Sequence, residues 1–291
     1  METTPVNRRH LIAGAGLLGS AGAQPAARSK VRDHFWLWCH EAGSHDQGWG
    51  LPAPSRITPV EAAHYMGIPN AILVRYEGRP APPFEQYALP FRSLRHVVWS
   101  VVGAAGVTGD SEREAVLKLA AGSPNFSGVM MDDFFTGKKE GRIAALTVEE
   151  LQALQRLLKG GQKKLDLWVV LYDHQLEHPV ADHLKLCDVL TFWTWKAAQL
   201  GRLAASFETA GRLAPHARKV LGCYMWDYGD RKPMPIALMR RQCEQGLSWL
   251  RQGRIDGMIF LASCICDLNL ETVEWTRQWI RQVGPAVLTR G

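Results

Sequence analysis

The chain has 291 residues, 46% of them hydrophobic, with a formal net charge of +6 and a sequence pI of about 9.1. This is enough apolar material for one α/β barrel or two smaller domains, and it excludes a disordered chain. The basic residues are scattered, without a Lys/Arg block that could track phosphates, so nucleic acid is not an expected partner.

The N-terminal stretch, residues 1–30, differs from the rest. Paired Arg8 and Arg9 precede a short, weakly apolar, glycine-rich run and the small-residue series Ala21-Gly22-Ala23. A charged start, a short apolar run and an A-x-A site form an export signal, and the paired arginines point to the twin-arginine route. The expected destination is the periplasm or the outside of a bacterial cell. The run is too short and too glycine-rich for stable membrane insertion. Cleavage after Ala23 removes two arginines and one glutamate, so +6 falls to +5 and the mature chain stays basic.

From residue 31 onward, apolar strand-like runs alternate with amphipathic helix-like segments. The first run, 34–39, ends in His40-Glu41 and leads through a Gly/Ser/Asp-rich loop to a helix. Thr58 is its expected cap, Pro59 its first residue, and Glu61 completes a capping box. The second strand, 71–76, is followed by a Pro-rich loop over 79–90, and the third, 96–102, by a helix over 110–121. The fourth run, Phe126-Ser127-Gly128-Val129-Met130-Met131, ends in Asp132-Asp133-Phe134-Phe135.

Further strands are expected at 166–171, 188–195, 219–225 and 257–262, with helices at 146–158, 178–186, 200–214, 236–252 and 270–283. Eight βα units over 31–291 fit a single (β/α)8 TIM barrel, in which closure removes the sheet edges. An open doubly wound sheet is the alternative. It normally brings a Gly-rich phosphate turn after its first strand, and residues 38–44 contain no GxGxxG. No cofactor is expected. The six cysteines show neither a CxxC pair nor zinc-like spacing; they read as small buried hydrophobes, with Cys264 and Cys266 on one strand face.

In a barrel the residues just past each strand converge on one face. Here they are His40 and Glu41, Arg75 and Glu77, Trp99, Asp132 and Asp133, Tyr172 and Asp173, Trp193 and Trp195, Trp226, Asp227 and Tyr228, and Asp267. Carboxylates facing an aromatic rim suit glycosidic hydrolysis. One acid protonates the leaving oxygen, another attacks or activates water, and flat rings stack on the sugar. Asp132, Asp133 and Asp227 are the expected catalytic residues. His40, Glu41, Arg75, Trp99, Tyr172, Asp173, Trp195, Trp226 and Tyr228 are expected to hold a carbohydrate substrate.

Adjacent strand residues point to opposite sides, so Asp132 and Asp133 both face the axis only if the strand ends between them. His40-Glu41 also admits a metal-dependent barrel isomerase or hydrolase, although the later strand ends supply mainly Asp and Trp. A glycan-binding barrel without turnover is a further alternative, favoured if the acids pair with Arg75 or Lys196.

An apolar fourth strand ending in clustered Asp, a Tyr after a later strand and Trp around the mouth resemble the barrel glycoside hydrolases, and among them the chitinase-like family 18 enzymes. That family's fourth-strand motif is DxxDxDxE, ending in the catalytic glutamate. Here the acids are adjacent and no Glu follows, so the resemblance implies the barrel and a carbohydrate substrate but carries over no catalytic acid.

Overall fold

A computed structural model describes Met1 and residues 29–135 and 142–290. The residues that carry the expected export signal, 7–23, lie outside the described residues.

Eight parallel strands close into a barrel: β1 (Phe35–Cys39), β2 (Asn70–Leu73), β3 (His96–Val102), β4 (Phe126–Met131), β5 (Asp166–Tyr172), β6 (Val189–Trp193), β7 (Arg218–Tyr224) and β10 (Gly257–Leu261). Each pairs with its sequence neighbour in the barrel, and β10 closes on β1, with Phe35 opposite Met258. The remaining two strands, β8 (Trp226–Asp227) and β9 (Lys232–Pro233), form a small antiparallel hairpin just past β7. This is the (β/α)8 architecture expected from the alternation.

The described residues contain seven α-helices: α1 (Pro59–Met66), α2 (Asp110–Gly122), α3 (Val148–Gly160), α4 (Ala181–Leu184), α5 (Leu203–Leu213), α6 (Ile236–Arg251) and α7 (Glu271–Val283). The connection from β2 to β3 has none. Its Pro80, Pro82, Pro83 and Pro90 cannot donate backbone hydrogen bonds, and only a 3-10 turn, Leu89–Ser93, forms there. The helix expected over 178–186 shrinks to α4, because Pro179 disfavours helical geometry at the residue before it. The expected capping box of Thr58 with Glu61 forms on α1, and Thr147 with Glu150 forms a second on α3. No helix among the described residues is long and apolar enough to cross a membrane.

Tryptophan fills much of the barrel interior. Alternation along β1 places Trp36 and Trp38 on the same side. Trp36 meets Trp168 with ring centroids 5.0 Å apart, and Trp38 meets Trp193 at 5.3 Å. Rings of this size need missing side chains beside them. A Cβ at Gly222 would lie 2.1 Å from the Trp193 indole, and one at Gly128 would lie 2.7 Å from the Trp168 indole nitrogen. The two glycines are therefore the space into which the indoles pack.

All six cysteines are free and buried, as expected of small hydrophobes. Cys264 and Cys266 are not on a strand face. Strand β10 stops at Leu261, and Cys264 lies in the turn Ser263–Ile265 that follows, with Cys266 at its end.

Candidate active site

Strand β4 ends at Met131, and the chain then turns at once. Asp132 still donates its backbone N–H to Val102 of β3 at 3.0 Å, while Asp133 takes a left-handed conformation with φ +44°. Asp is among the few residues that tolerate this region. The turn undoes strand alternation, so both carboxyl groups line the same cleft at the C-terminal mouth of the barrel. The cleft encloses about 480 Å³ including its open mouth.

The two acids have different surroundings. Asp133 is half-buried and held at both oxygens: Oδ1 accepts the Tyr172 hydroxyl at 2.8 Å and Oδ2 accepts the Ala105 N–H at 2.8 Å. Asp132 is 5% exposed. Burial, followed by the negative charge of Asp133, pushes its carboxyl well above the ordinary carboxylate range. Among the described residues neither acid makes an ion pair. Arg75 pairs with Glu112 and donates to the carbonyls of Gly78 and Pro80, and Lys196 pairs with Asp230.

Aromatic rings form the walls. Trp38, Trp193, Tyr172 and Tyr224 rise from the strands, Trp195 and Tyr228 stand just beyond them, and His45, Trp49 and Tyr76 come from the first two loops. The loop carrying Trp49 is docked on the β8–β9 hairpin, where Trp226 donates its indole N–H to the Trp49 carbonyl at 2.8 Å. At the other end of that loop, Asp267 accepts the Ser55 hydroxyl and the backbone N–H groups of Arg56 and Ile57.

His40 lies against the floor with both ring nitrogens engaged. Nδ1–H donates to the Val74 carbonyl at 2.8 Å, and Nε2 accepts the Trp38 indole N–H at 3.1 Å. Burial lowers its pKa to about 4, so it is a neutral, fixed imidazole without a nitrogen to offer a metal or a proton. His45 is also buried, hydrogen-bonded through Nδ1 to the Tyr228 hydroxyl at 3.1 Å, and burial with the neighbouring His40 holds its pKa well below the usual histidine value. Among the described residues no three His, Cys, Asp or Glu side chains cluster as a metal site would.

Of the residues expected at the site, His40, Asp132, Asp133, Tyr172, Trp195 and Tyr228 line the cleft. Glu41, Arg75, Trp99, Asp173, Trp226 and Asp227 do not. Trp99 is fully buried among Phe84, Phe91 and Phe126 on the outside of the barrel. The exposed His96 meets the interior residue Trp36 with ring centroids 6.2 Å apart, so Trp99, three residues on, points the other way. Asp173 accepts the backbone N–H groups of His174 and Trp195 beside the cleft. Asp227 is 1% exposed; Oδ1 accepts the Asp230 N–H, and Oδ2 has no hydrogen-bond partner among the described residues.

Strand parity could have revealed Trp38, which shares its face with Trp36. Nothing periodic announces His45, Trp49 or Tyr76.

No protein-family model matches the chain, and no curated protein matches it. Solved structures do. The catalytic domain of the hyperthermophilic chitinase from Pyrococcus furiosus superposes with a TM-score of 0.54 at 15% identity, over 81% of this chain and 85% of that one. The spore cortex-lytic enzyme SleL from Bacillus megaterium QM B1551 gives 0.53 at 13% identity, over 92% of this chain and 76% of that one. The β-D-glucuronidase from Dictyoglomus thermophilum gives 0.51 at 8% identity, with 87% of this chain covering 51% of that longer one. At these identities the likeness is one of fold, the (β/α)8 barrel.

Proposed function

We propose that the chain is an exported, carbohydrate-active barrel that hydrolyses a glycosidic bond in this cleft. One observation carries the reading. A buried Asp132 and a doubly hydrogen-bonded Asp133 face the same aromatic-walled space. Burial and the neighbouring charge of Asp133 favour the protonated form of Asp132, which acts as the acid that protonates the leaving oxygen. As that bond lengthens, positive charge grows on the sugar ring, and Asp133 stabilises it. The Tyr172 hydroxyl and the Ala105 N–H hold the Asp133 carboxylate in place, so little reorganisation accompanies the step.

Both acids leave the tip of one strand and reach the sugar from one side. The nucleophile then comes from the other side, as water or as a substituent of the sugar itself. We assign Asp227 to support of the β8–β9 hairpin rather than to that second role, because it is buried and tied to Asp230. A panel of chromogenic glycosides tests the reading. The wild type should release chromophore from at least one member, and Asp227→Asn should retain most of that activity. Failure to turn over any member, or an inactive but folded Asp227→Asn protein, would count against it.

One observation favours glycan binding without turnover. After Asp132-Asp133, where the chitinase-like motif ends in a glutamate, stand two buried phenylalanines, Phe134 and Phe135. Calorimetric binding of an oligosaccharide, unchanged in Asp133→Asn and accompanied by no hydrolysis, would select that alternative.

A further inference from the structure

A second cavity opens beside the cleft, behind the shared wall of Trp195, and encloses about 1030 Å³ including its mouth. Asp173, His174, Lys196, Gln199, Arg202 and Ser206 complete its lining. The Trp195 ring meets Tyr172 edge-on at 5.6 Å, and His174 stacks on the opposite part of the same tyrosine at 5.3 Å. The groove thus continues the aromatic floor of the cleft outward past β5 and β6.

Its charges are unbalanced. Arg202 makes no ion pair among the described residues. Lys196 shares the single carboxylate of Asp230 with Lys232, at 2.7 Å and 3.3 Å. Asp173 is the only carboxylate among the lining residues. Its side chain is 14% exposed, its Oδ1 already accepts two backbone N–H groups, and His174 Nδ1 lies 3.6 Å from that oxygen. Asp173 keeps its negative charge and Lys196 is held by Asp230, so the lining cation without a carboxylate partner among the described residues is Arg202, near Trp195, with Gln199 and Ser206 as neutral hydrogen-bonding partners.

We propose that this groove is a subsite for an anionic sugar, adjoining the one held in the cleft. Arg202 receives its carboxylate or sulfate, the Lys196 ammonium held by Asp230 adds positive charge nearby, and Trp195 packs against its ring. This rests on the carbohydrate reading above and adds the substrate class, an acidic glycan. A guanidinium matches the planar oxygens of either group in a forked pair of hydrogen bonds, which a neutral sugar cannot return. Attraction of this kind weakens with salt, because the groove is open to solvent.

Calorimetric titration of the full chain tests it. The ligands are galacturonan and hyaluronan oligosaccharides, each beside its carboxyl-reduced form, and sulfated galactan beside its desulfated form, together with neutral chitin oligosaccharides, and a preference in any one pair supports the proposal. The charged member of a matched pair should bind about tenfold more tightly than its reduced form, which is about 1.4 kcal/mol. Arg202→Ala should erase that preference, Arg202→Lys should keep part of it, and added salt should reduce it. Arg202 is exposed and its side chain makes no cap hydrogen bond at the start of α5, so the variant keeps the fold. Whether the uronates or the sulfated galactan respond identifies the anionic group. Equal binding within the pairs, or a preference that survives Arg202→Ala, overturns the proposal. If neutral oligosaccharides bind and Trp195→Ala abolishes that binding while Arg202→Ala does not, the carbohydrate reading stands and the anionic subsite falls. If no oligosaccharide of either kind binds, both fall.

Discussion

Tyr172→Phe removes one oxygen atom and nothing else from the wall of the cleft. That oxygen donates to Asp133 Oδ1 at 2.8 Å, while Oδ2 keeps its bond from the Ala105 N–H. A hydrogen bond to a charged group contributes about 1.5–3 kcal/mol. If Asp133 faces charge that exists only in the transition state, the loss appears in kcat and lowers it about 10- to 150-fold. Asp133 is half-buried, so water can take the vacant place and the melting temperature should change little. The assay is steady-state kinetics on the best substrate of the panel, with both constants resolved. A raised KM at unchanged kcat would mean that Tyr172 only contacts the sugar. That result would refute the positioning role.

Activity should fall on the alkaline side as Asp132 releases its proton, at a pH well above the ordinary carboxylate value of 3.8, and a pH–rate profile locates that limb. The sign for stability follows from the same raised pKa. The folded chain keeps a proton that the unfolded chain gives up near 3.8, so this contribution is full below that pH and is lost as pH rises through the folded value. Asp132→Asn removes the dependence. Denaturant titrations at several pH values should show the variant gaining on the wild type toward neutral and alkaline pH. Gly222→Ala would place a Cβ 2.1 Å from the Trp193 ring, and the overpacking should cost about 1–3 kcal/mol, with a changed near-ultraviolet circular dichroism signal.

Much of the fold was legible because eight apolar runs alternate with helical segments, and a parallel sheet requires that order. The missing helix was legible too, in the prolines between β2 and β3. The site was legible where it depends on strand ends. Asp132 and Asp133 follow β4, Tyr172 ends β5, Trp195 stands two residues past β6, and His40 follows β1. Trp99 was misplaced because it stands inside β3 with the parity opposite to His96, so its ring belongs to the outer layer. Tyr224 was hidden within its strand for the complementary reason, since its parity matters more than its position. His45, Trp49 and Tyr76 come from loops set by long-range contacts, such as Trp226 on the Trp49 carbonyl, and no local pattern encodes those. Only the left-handed turn at Asp133 lets two neighbouring acids share a cleft, and nothing in the Asp-Asp pair requires that backbone conformation.

The central claim is that Asp132 and Asp133 together carry the chemistry. Measuring kcat/KM for Asp132→Asn and Asp133→Asn beside the wild type, on one glycoside that the wild type hydrolyses, tests it most directly. The expected result is a loss of about 10²- to 10⁴-fold in each variant, with oligosaccharide binding retained. Hydrolysis that persists at the wild-type rate in either folded variant would contradict it.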